Sequence, residues 1–323
     1  MTRSSLGCTL AVVGVLLGTA LPTPAHAQSP HTAELEQVGH VDHPPIDEMS
    51  GIVRSRWQEN VWWVHNDSGD EPRLFAIDST GDVHMPPWHA GEYDTPTEAD
   101  TLDDPLWPGV QLGAAAHIDY EDIAVDDSTL YLADIGNNGN ARRDLGIYVI
   151  SEPFYHDLRS RPVRYLSLEY PDQEAFPAED WHFDAEGLFV YEDTLYLLTK
   201  HRRDGQVNTL EPGTKLYRLD TERPNQVNVL TKIDEHDSIP PPTAAALSPS
   251  GDRLAVASNA SVWLFSRPVQ DDHWLSSEPR RISLAAKRSK QVEAVTWDDP
   301  QTLRLTNEQG DVFVLPVGDS AGE

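Results

Sequence analysis

The chain has 323 residues, of which 53 are acidic and 24 are lysine or arginine, so its formal net charge at pH 7 is −29. A surface this acidic repels nucleic acid and anionic lipid, which excludes both as expected partners. The only cysteine is Cys8, so a disulfide scaffold and thiol chemistry are excluded from the rest of the chain. Such an acidic composition is typical of proteins that stay soluble in a salty medium. The alternative is that some of the acidic residues form a cation site.

The first 27 residues predict a cleaved secretory signal. Arg3 precedes an apolar run from Leu6 to Leu21, and small residues stand before Gln28 at a cleavage site near Ala27. The run is too short and wrongly flanked for a membrane span. We therefore expect a secreted or periplasmic protein without membrane insertion.

A sequence pattern of two strands occurs five times along the remaining chain. Each copy has an acidic or small residue, a hydrophobic strand, a turn, and a second strand that ends on a polar residue. The clearest copy covers residues 119–125 and 129–134, and the other copies begin near Ser50, Glu186, Ala245 and Glu293. A supersecondary unit that recurs in this way indicates a propeller or an array.

Each copy of the two-strand pattern is followed by an aromatic-rich third run. In most units a fourth run comes after it. The runs are rich in β-branched and aromatic residues and are bounded by Gly, Pro, Asp and Ser, which is typical of strands. Four strands per unit make a propeller blade. The predicted blades begin near Pro45, Ile118, Phe183, Pro242 and Gln291.

The last unit ends after its third strand, whereas an unassigned strand, Glu34 to Val41, precedes the first unit. If this run pairs with Val312 to Val317 as the fourth strand of the last blade, the propeller has five blades of four strands each. The sequence therefore predicts a single all-β propeller over residues 28–317, latched by its N-terminal strand, with a disordered tail at 318–323. A six-bladed ring remains the alternative, because the strands between Val83 and Ala116 are hard to assign from the sequence.

In a propeller blade, the start of the first strand lies beside the end of the second, so residues at both places meet at one mouth of the central channel. The strand-start position holds Ser50, Glu121, Glu186, Ala245 and Glu293. On the same side of each strand, two residues earlier, stand Glu48, Asp119, Asp184, Thr243 and Gln291. The ends of the second strands add Asp67 and Asp134.

Carboxylates crowded this closely repel one another, and a hard cation such as calcium relieves the repulsion. The candidate metal ligands are Asp67, Asp119, Glu121, Asp134, Asp184 and Glu186. The alternative is that these acids accept hydrogen bonds from backbone N–H groups and tie neighbouring blades together. Two polar loops at the same face, residues 66–71 and 134–140, could wrap a cation or be ordinary turns.

Basic and amide side chains also reach this face. The candidate ligand-binding residues are Lys200, Arg202, Arg142, Asn137 and Asn138. Beside carboxylates they indicate an anionic ligand, such as a phosphate held jointly by arginine and metal, with salt bridges to neighbouring acids as the alternative. The sequence contains no Gly-x-Ser-x-Gly elbow, His-Glu-x-x-His motif, phosphate loop or dinucleotide fingerprint.

Segments 66–69, 119–124, 133–138 and 184–188 resemble the signature segments of an uncharacterised group of secreted bacterial propeller proteins. That group is more distantly similar to the phytase-like and esterase-like phytase propellers. The resemblance implies calcium bound by acids at the channel mouth and hydrolysis of phosphate esters by metal-activated water. The matching positions Glu121, Glu186 and Asp134 are present, whereas Ser50 and Ala245 interrupt the acidic ring.

Two functions are consistent with these features. The first is a monomeric exported protein that uses the acidic mouth, with or without calcium, to bind a small molecule or a cell-surface partner. The second is a calcium-dependent phosphoesterase in which Lys200, Arg202 or Arg142 holds the ester oxygens. The sequence favours the first, because it shows a site without an assembled reaction centre, and no catalytic residue is assigned.

Overall fold

The structure is a computed structural model that describes residue 1 and residues 31–32, 35–89, 92–93 and 105–318. Apart from Met1, the predicted leader lies outside the described residues, as do residues 319–323 of the predicted tail. Residues 94–104, within the stretch that was hard to parse, also lie outside them.

Short β-strands dominate the described chain. In its first half they are β1 (His31–Thr32), β2 (Glu36–His40), β3 (Met49–Arg54), β4 (Trp62–Asn66), β5 (Arg73–Ile77), β6 (Val110–Leu112), β7 (Tyr120–Asp126), β8 (Thr129–Asp134), β9 (Gly146–Ser151), β10 (Arg159–Ser160) and β11 (Pro162–Glu169). In its second half they are β12 (Asp184–Tyr191), β13 (Thr194–Arg202), β14 (Leu210–Glu211), β15 (Thr214–Leu219), β16 (Asn228–Val229), β17 (Thr231–His236), β18 (Pro242–Leu247), β19 (Arg253–Ser258), β20 (Ser261–Ser266), β21 (Arg280–Ser283), β22 (Val292–Asp299), β23 (Thr302–Asn307) and β24 (Asp311–Pro316).

Helix is almost absent from the described residues. Two 3₁₀ turns, Pro87–His89 and Trp274–Ser276, accompany one short α-helix, α1 (Ala286–Ser289). None of these helices is long and apolar enough to cross a bilayer.

The strands form five sheets, which are the blades of a propeller. From the inside outwards, blade 1 contains β3, β4, β5 and β6, blade 2 contains β7, β8, β9 and β11, blade 3 contains β12, β13, β15 and β17, blade 4 contains β18 to β21, and blade 5 contains β22, β23, β24 and β2. The inner strands β3, β7, β12, β18 and β22 each contact the next and close a ring. The prediction of an all-β, five-bladed propeller is confirmed, and the described part of the stretch from Val83 to Ala116 supplies β6 to blade 1.

The ring is latched by its N-terminal strand, as predicted. Strand β2 runs antiparallel to β24, with Glu36 opposite Val314 and His40 opposite Asp311. Lys290 Nζ lies 2.8 Å from Asp311 Oδ2, and Gln37 Nε2 donates to Asp311 Oδ1 at 3.0 Å. Asp311 therefore holds the latch through side chains as well as through the backbone ladder.

Short parallel strands add a fifth outer strand to three blades. Strand β10 pairs with β6 of blade 1, β16 pairs with β11 of blade 2, and β1 pairs with β21 of blade 4. Each of these strands lies just before the outer strand of another blade in the chain, so it links the two blades.

Apolar packing is divided among the blade interfaces. The buried hydrophobic residues form five clusters, one between each pair of neighbouring blades. A large aromatic side chain sits in every cluster: Trp63, Tyr217, Trp274, Phe313 and Phe75. Because burial of apolar surface drives this packing, the blades hold one another in place and leave the channel mouths to polar residues.

Candidate metal centre

Each inner strand carries a β-bulge at the same level near its start. The register shifts after Met49 in β3, Tyr120 in β7, Ala185 in β12, Pro242 in β18 and Val292 in β22. The residues placed in the bulges are Ser50 with Gly51, Glu121, Glu186, Thr243 and Glu293. A bulge turns its residue out of the regular pleat, which directs these side chains towards one mouth of the channel.

The predicted register of blade 4 is wrong. Thr243, and not Ala245, occupies the position that matches Glu121, because the bulge in β18 lies between Pro242 and Ala244. Ala245 lies further down the channel. The Thr243 hydroxyl donates to Val292 O of blade 5 at 2.9 Å, just as the Ser50 hydroxyl donates to the Glu121 backbone carbonyl of blade 2 at 3.0 Å. The two hydroxyl residues of the ring therefore join blades, whereas the acids face the mouth.

Five of the six predicted metal ligands come together at this mouth. One oxygen from each of Asp67, Asp119 and Glu121 lies within 4.8 Å of the others, and the same holds for Glu121, Asp184 and Glu186. We call the first set the outer triad and the second the inner triad. Glu121 belongs to both, so the bulge in β7 is the centre of the site.

The loop after β8 closes tightly over the outer triad. A Cβ atom at Gly136 would lie 2.1 Å from Glu121 Oε1 and 2.4 Å from Asp119 Cγ. Because real side chains do not tolerate such distances, only glycine fits here. The glycine of the polar loop at residues 134–140 therefore allows the backbone to approach the carboxylates.

The inner triad carries its own counter-ions. Lys200 Nζ lies 2.5 Å from Glu186 Oε1, and Arg202 Nη2 lies 2.7 Å from Asp184 Oδ2. The backbone N–H of Asn137 also donates to Asp184 Oδ1 at 2.6 Å. Lys200 and Arg202, which the sequence offered as anion-binding residues, are thus engaged in the salt bridges that were the alternative.

No described residue forms an ion pair with the outer triad. Asp67 accepts the Ser68 N–H at 2.7 Å, and Asp119 accepts Asn138 Nδ2 at 3.3 Å. Glu121 is 6% exposed, and no described residue donates a hydrogen bond to its carboxylate or forms an ion pair with it. A buried carboxylate without a partner is costly, so this side chain requires either a proton or a cation.

Asp134 and Arg142 lie beside the mouth but outside both triads. Arg142 Nη2 lies 2.8 Å from Asp134 Oδ1, and its Nη1 donates to Gly136 O at 2.7 Å. The guanidinium also contacts Asp144 at 3.1 Å. Arg142 therefore braces the loop after β8, and Asp134 is its partner.

The two predicted asparagines have different surroundings. Asn137 is buried, and its Oδ1 accepts the backbone N–H groups of Ala141 and Arg142, both at 2.9 Å, which shapes the loop. Asn138 donates to Asp119 and accepts a hydrogen bond from Arg202. Asn138 is therefore the side chain that connects the two triads.

Burial raises the pKa values of Glu121, Glu186, Asp119 and Asp67. Desolvation raises the pKa of Glu121 well above its usual range, and Glu186 reinforces the shift. Desolvation also raises the pKa of Glu186, although Lys200 opposes it. The pKa of Asp119 rises to about 6 through burial and the nearby charge of Asp67, whose own pKa is raised by burial. In the absence of a cation, the outer triad therefore keeps protons at a pH where exposed carboxylates have lost them.

Sequence reasoning missed Asp122. Its Oδ2 accepts the N–H of Leu188 at 2.8 Å and that of Ala245 at 3.1 Å, while its Oδ1 accepts its neighbour Ile123 N–H at 2.9 Å. The residues at this level in the other blades are small: Gly51, Gly187, Ala244 and Ala294. The Asp122 side chain therefore reaches across the channel below the triads. It ties blades together in the way that the alternative interpretation expected of the candidate ligands, to which Asp122 did not belong. The small residues at the matching positions were the available signal.

Glu293 is a further acid at this mouth that the predicted ligand set omits. It occupies the bulge of β22, and burial raises its pKa to about 7. The Gln291 side chain donates to it, with Nε2 3.4 Å from Glu293 Oε1. It belongs to neither triad.

No protein-family description and no curated protein sequence matches the chain. Among solved structures, the glutaminyl cyclase of Myxococcus xanthus shares 10% identity at a TM-score of 0.47, over 90% of this chain and 100% of its own. A glucose dehydrogenase shares 11% identity at a TM-score of 0.45, over 89% of this chain and 100% of its own. Neither likeness carries an argument about activity, and no sequence match links the chain to the phytase-like propellers.

Proposed function

We propose that this protein is a cation-dependent binding protein whose acidic mouth holds a divalent cation at Asp67, Asp119 and Glu121. The observation that carries the proposal is the buried Glu121 carboxylate, which has no hydrogen-bond or ion-pair partner among the described residues. It lies at the point where the two triads meet. A cation there would supply the direct ion pair that the described residues do not.

The ligand atoms favour calcium. All three side chains of the outer triad offer carboxylate oxygens, the donor type that hard cations prefer, and no histidine or cysteine belongs to either triad. The inner triad already has Lys200 and Arg202 as counter-ions. One cation is therefore a better fit than the several that a phytase-like centre would hold.

A cation at this position would face the open mouth and keep coordination sites for a ligand. Three carboxylates do not fill the six to eight oxygen positions of calcium. A small molecule or a surface partner with carboxylate, phosphate or hydroxyl oxygens would complete the shell. The predicted leader supports a proposed location in the periplasm or outside the cell.

Calorimetric titration and thermal unfolding test the proposal. Calcium at a hundredfold excess over Kd should stabilise the fold by about 2.7 kcal/mol, which raises the melting temperature by several degrees. The effect should disappear in Glu121→Gln. It should persist in Glu293→Gln, which removes a bulge acid from outside the triads. No shift in the wild type, or an equal shift in Glu121→Gln, would contradict the cation site.

The same preparations decide between binding and catalysis. Lys200, Arg202 and Arg142 are already paired with acids, so none of these three is free to hold the ester oxygens of a phosphate monoester. We therefore expect no calcium-dependent release of phosphate from p-nitrophenyl phosphate. Turnover that requires both calcium and Glu121 would favour the phosphoesterase instead.

A further inference from the structure

A cavity lies at the end of the channel opposite the acidic mouth, below Asp122. Its volume is about 460 Å³, which falls within the range of small-molecule sites. All five blades line it with residues from the later half of the inner strand. Because Asp122 bridges blades 2, 3 and 4 above it, the cavity is a cup that opens away from the acidic mouth.

The walls of the cup are apolar. Blades 2, 3 and 4 line it with apolar residues alone, whereas all of the polar lining residues come from blades 1 and 5: Arg54, Ser55, Arg56, Thr296, Asp298 and Asp299. The space exists because blades 2 and 4 place alanines there: Ala124, Ala245 and Ala246. An apolar cup with few polar groups is the usual form of a small-molecule site.

One polar group inside the cup has no partner. Thr296 is 5% exposed, and no described residue forms a hydrogen bond with its hydroxyl. The hydroxyl is therefore available to a molecule in the cup.

The charges at the opening favour an anion. Arg54 and Arg56 both line it, and Arg56 has only a distant partner, Asp126 at 3.6 Å. The Arg54 guanidinium lies 5.4 Å from the Trp62 ring centroid and donates to a backbone carbonyl, which leaves its other N–H groups available.

Two carboxylates also line the opening, and of these only the exposed Asp299 keeps an uncompensated charge against the two arginines. Asp298 lies 2.8 Å from Arg304 Nη2 and accepts the Trp62 indole N–H at 2.9 Å, so its charge is compensated. Asp299 is exposed, and its Oδ1 accepts the backbone N–H of Gln301 at 2.7 Å.

We propose that this cup binds a small molecule that has an apolar body and one anionic group. The body lies against the alanines and their apolar neighbours, and the anionic group lies at Arg54 and Arg56. This site is distinct from the acidic mouth, is separated from it by Asp122, and does not depend on the cation.

Fluorescence titration with 8-anilinonaphthalene-1-sulfonate in the presence of chelator tests the site. This probe has an apolar body and one sulfonate. We expect one saturable site per chain in the wild type and in Glu121→Gln. Ala246→Phe should fill the cup and abolish this binding, whereas the enlargement of an exposed alanine in Ala141→Phe should not change it. Arg54→Gln should weaken binding roughly tenfold, and Arg288→Gln should leave it unchanged.

Three results would overturn the proposal. Absence of saturable binding, or equal binding by Ala246→Phe, would show that the cup is not the site. Equal affinity in Arg54→Gln would show that Arg54 does not bind the anionic group of the ligand. If Ala246→Phe does not fold, Thr296→Val gives the same test, because it removes the unpaired hydroxyl at constant shape and should lower the affinity severalfold. Since the titration contains no calcium, a failure here leaves the proposed cation site untouched.

Discussion

Asp122 in blade 2 accepts the backbone N–H of Ala245 in blade 4 at 3.1 Å, although these two blades are not neighbours in the ring. The same oxygen accepts Leu188 N–H of blade 3, which lies between them. One buried carboxylate therefore joins three blades at the axis. It also separates the acidic mouth from the apolar cup, so the two ends of the channel can bind different ligands.

Replacement of Asp122 should be among the most damaging single changes in the channel. Asp122→Ala would leave three N–H groups without their acceptor, and each unsatisfied buried group costs about 1 to 3 kcal/mol. We expect the free energy of unfolding to fall by about 3 kcal/mol or more in urea titrations. Asp122→Asn, which keeps one acceptor oxygen, should lose less. Glu59→Ala at an exposed site should change it by under about 0.5 kcal/mol; an equal loss there would contradict the assigned role.

The stability of the cation-free protein should fall as the pH rises from about 4 through about 7. The pKa of Glu293 is about 7 in the fold and that of Asp119 about 6, both above their ordinary values of 4.5 and 3.8. A raised folded-state pKa contributes stability that is complete below the unfolded pKa and is lost as the pH passes through the folded one. In chelator, the free energy of unfolding should therefore be lower at pH 8 than at pH 6.5. Calcium should reverse much of this loss, and a flat profile would show that the acids are not held protonated.

Buried histidines should produce the opposite slope in acid. Burial lowers the pKa of His65 to about 4 and that of His201 to about 3, from an ordinary value of 6.5. Because the unfolded chain then binds the proton more readily, stability falls as the pH drops below 6.5. Between about pH 4 and pH 6.5 this gain with rising pH opposes the loss that Asp119 and Glu293 cause. In His201→Gln the acid limb should become shallower while the alkaline limb stays unchanged.

Gly136 offers a test of the site that leaves every acid in place. Gly136→Ala would put a Cβ atom 2.1 Å from Glu121 Oε1, so the carboxylate must move. We expect a destabilisation of about 1 to 3 kcal/mol and the loss of calcium binding in calorimetry. Gly139→Ala in the same loop is the matched control, because a Cβ there meets nothing within 4 Å. If Gly136→Ala binds calcium as the wild type does, the outer triad is not the cation site.

The latch should be required for a soluble ring. Deletion of residues 31–41 removes β2 and exposes the edge of β24. An unpaired edge strand pairs with other molecules, so we expect aggregation in size-exclusion chromatography with light scattering. A chain that lacks only residues 319–323 should elute as the full-length protein does. A monodisperse product of the larger deletion would show that blade 5 is stable without its fourth strand.

Much of the ring can be predicted from local pattern. The alternation of apolar residues in runs such as 129–134 and the turns between them are local signals, and they were sufficient for five blades and for the latch. The acids Asp67, Asp119 and Glu121 could be placed at one mouth because strand ends have fixed positions in a blade. These features depend only on the chain near each residue.

The remaining features depend on partners far away in sequence. A bulge adds a residue without disturbing the apolar pattern, so the shift that puts Thr243 in place of Ala245 left no local trace. Whether Asp122 faces water or backbone depends on N–H groups 66 and 123 residues further along the chain. The pairing of Lys200 with Glu186 likewise required the geometry of the folded mouth.

The bulge at the start of every inner strand places exchangeable side chains at five positions around the mouth, which we call the corners. A residue in a bulge stands outside the ladder, so its side chain can be exchanged without a change of strand register or of the apolar interfaces between blades. Serine, threonine and glutamate already share these corners in one molecule. The ring is thus a scaffold in which a new ligand preference needs only a few exchanges at the corners, and an engineer or natural drift could alter recognition while the fold stays as it is.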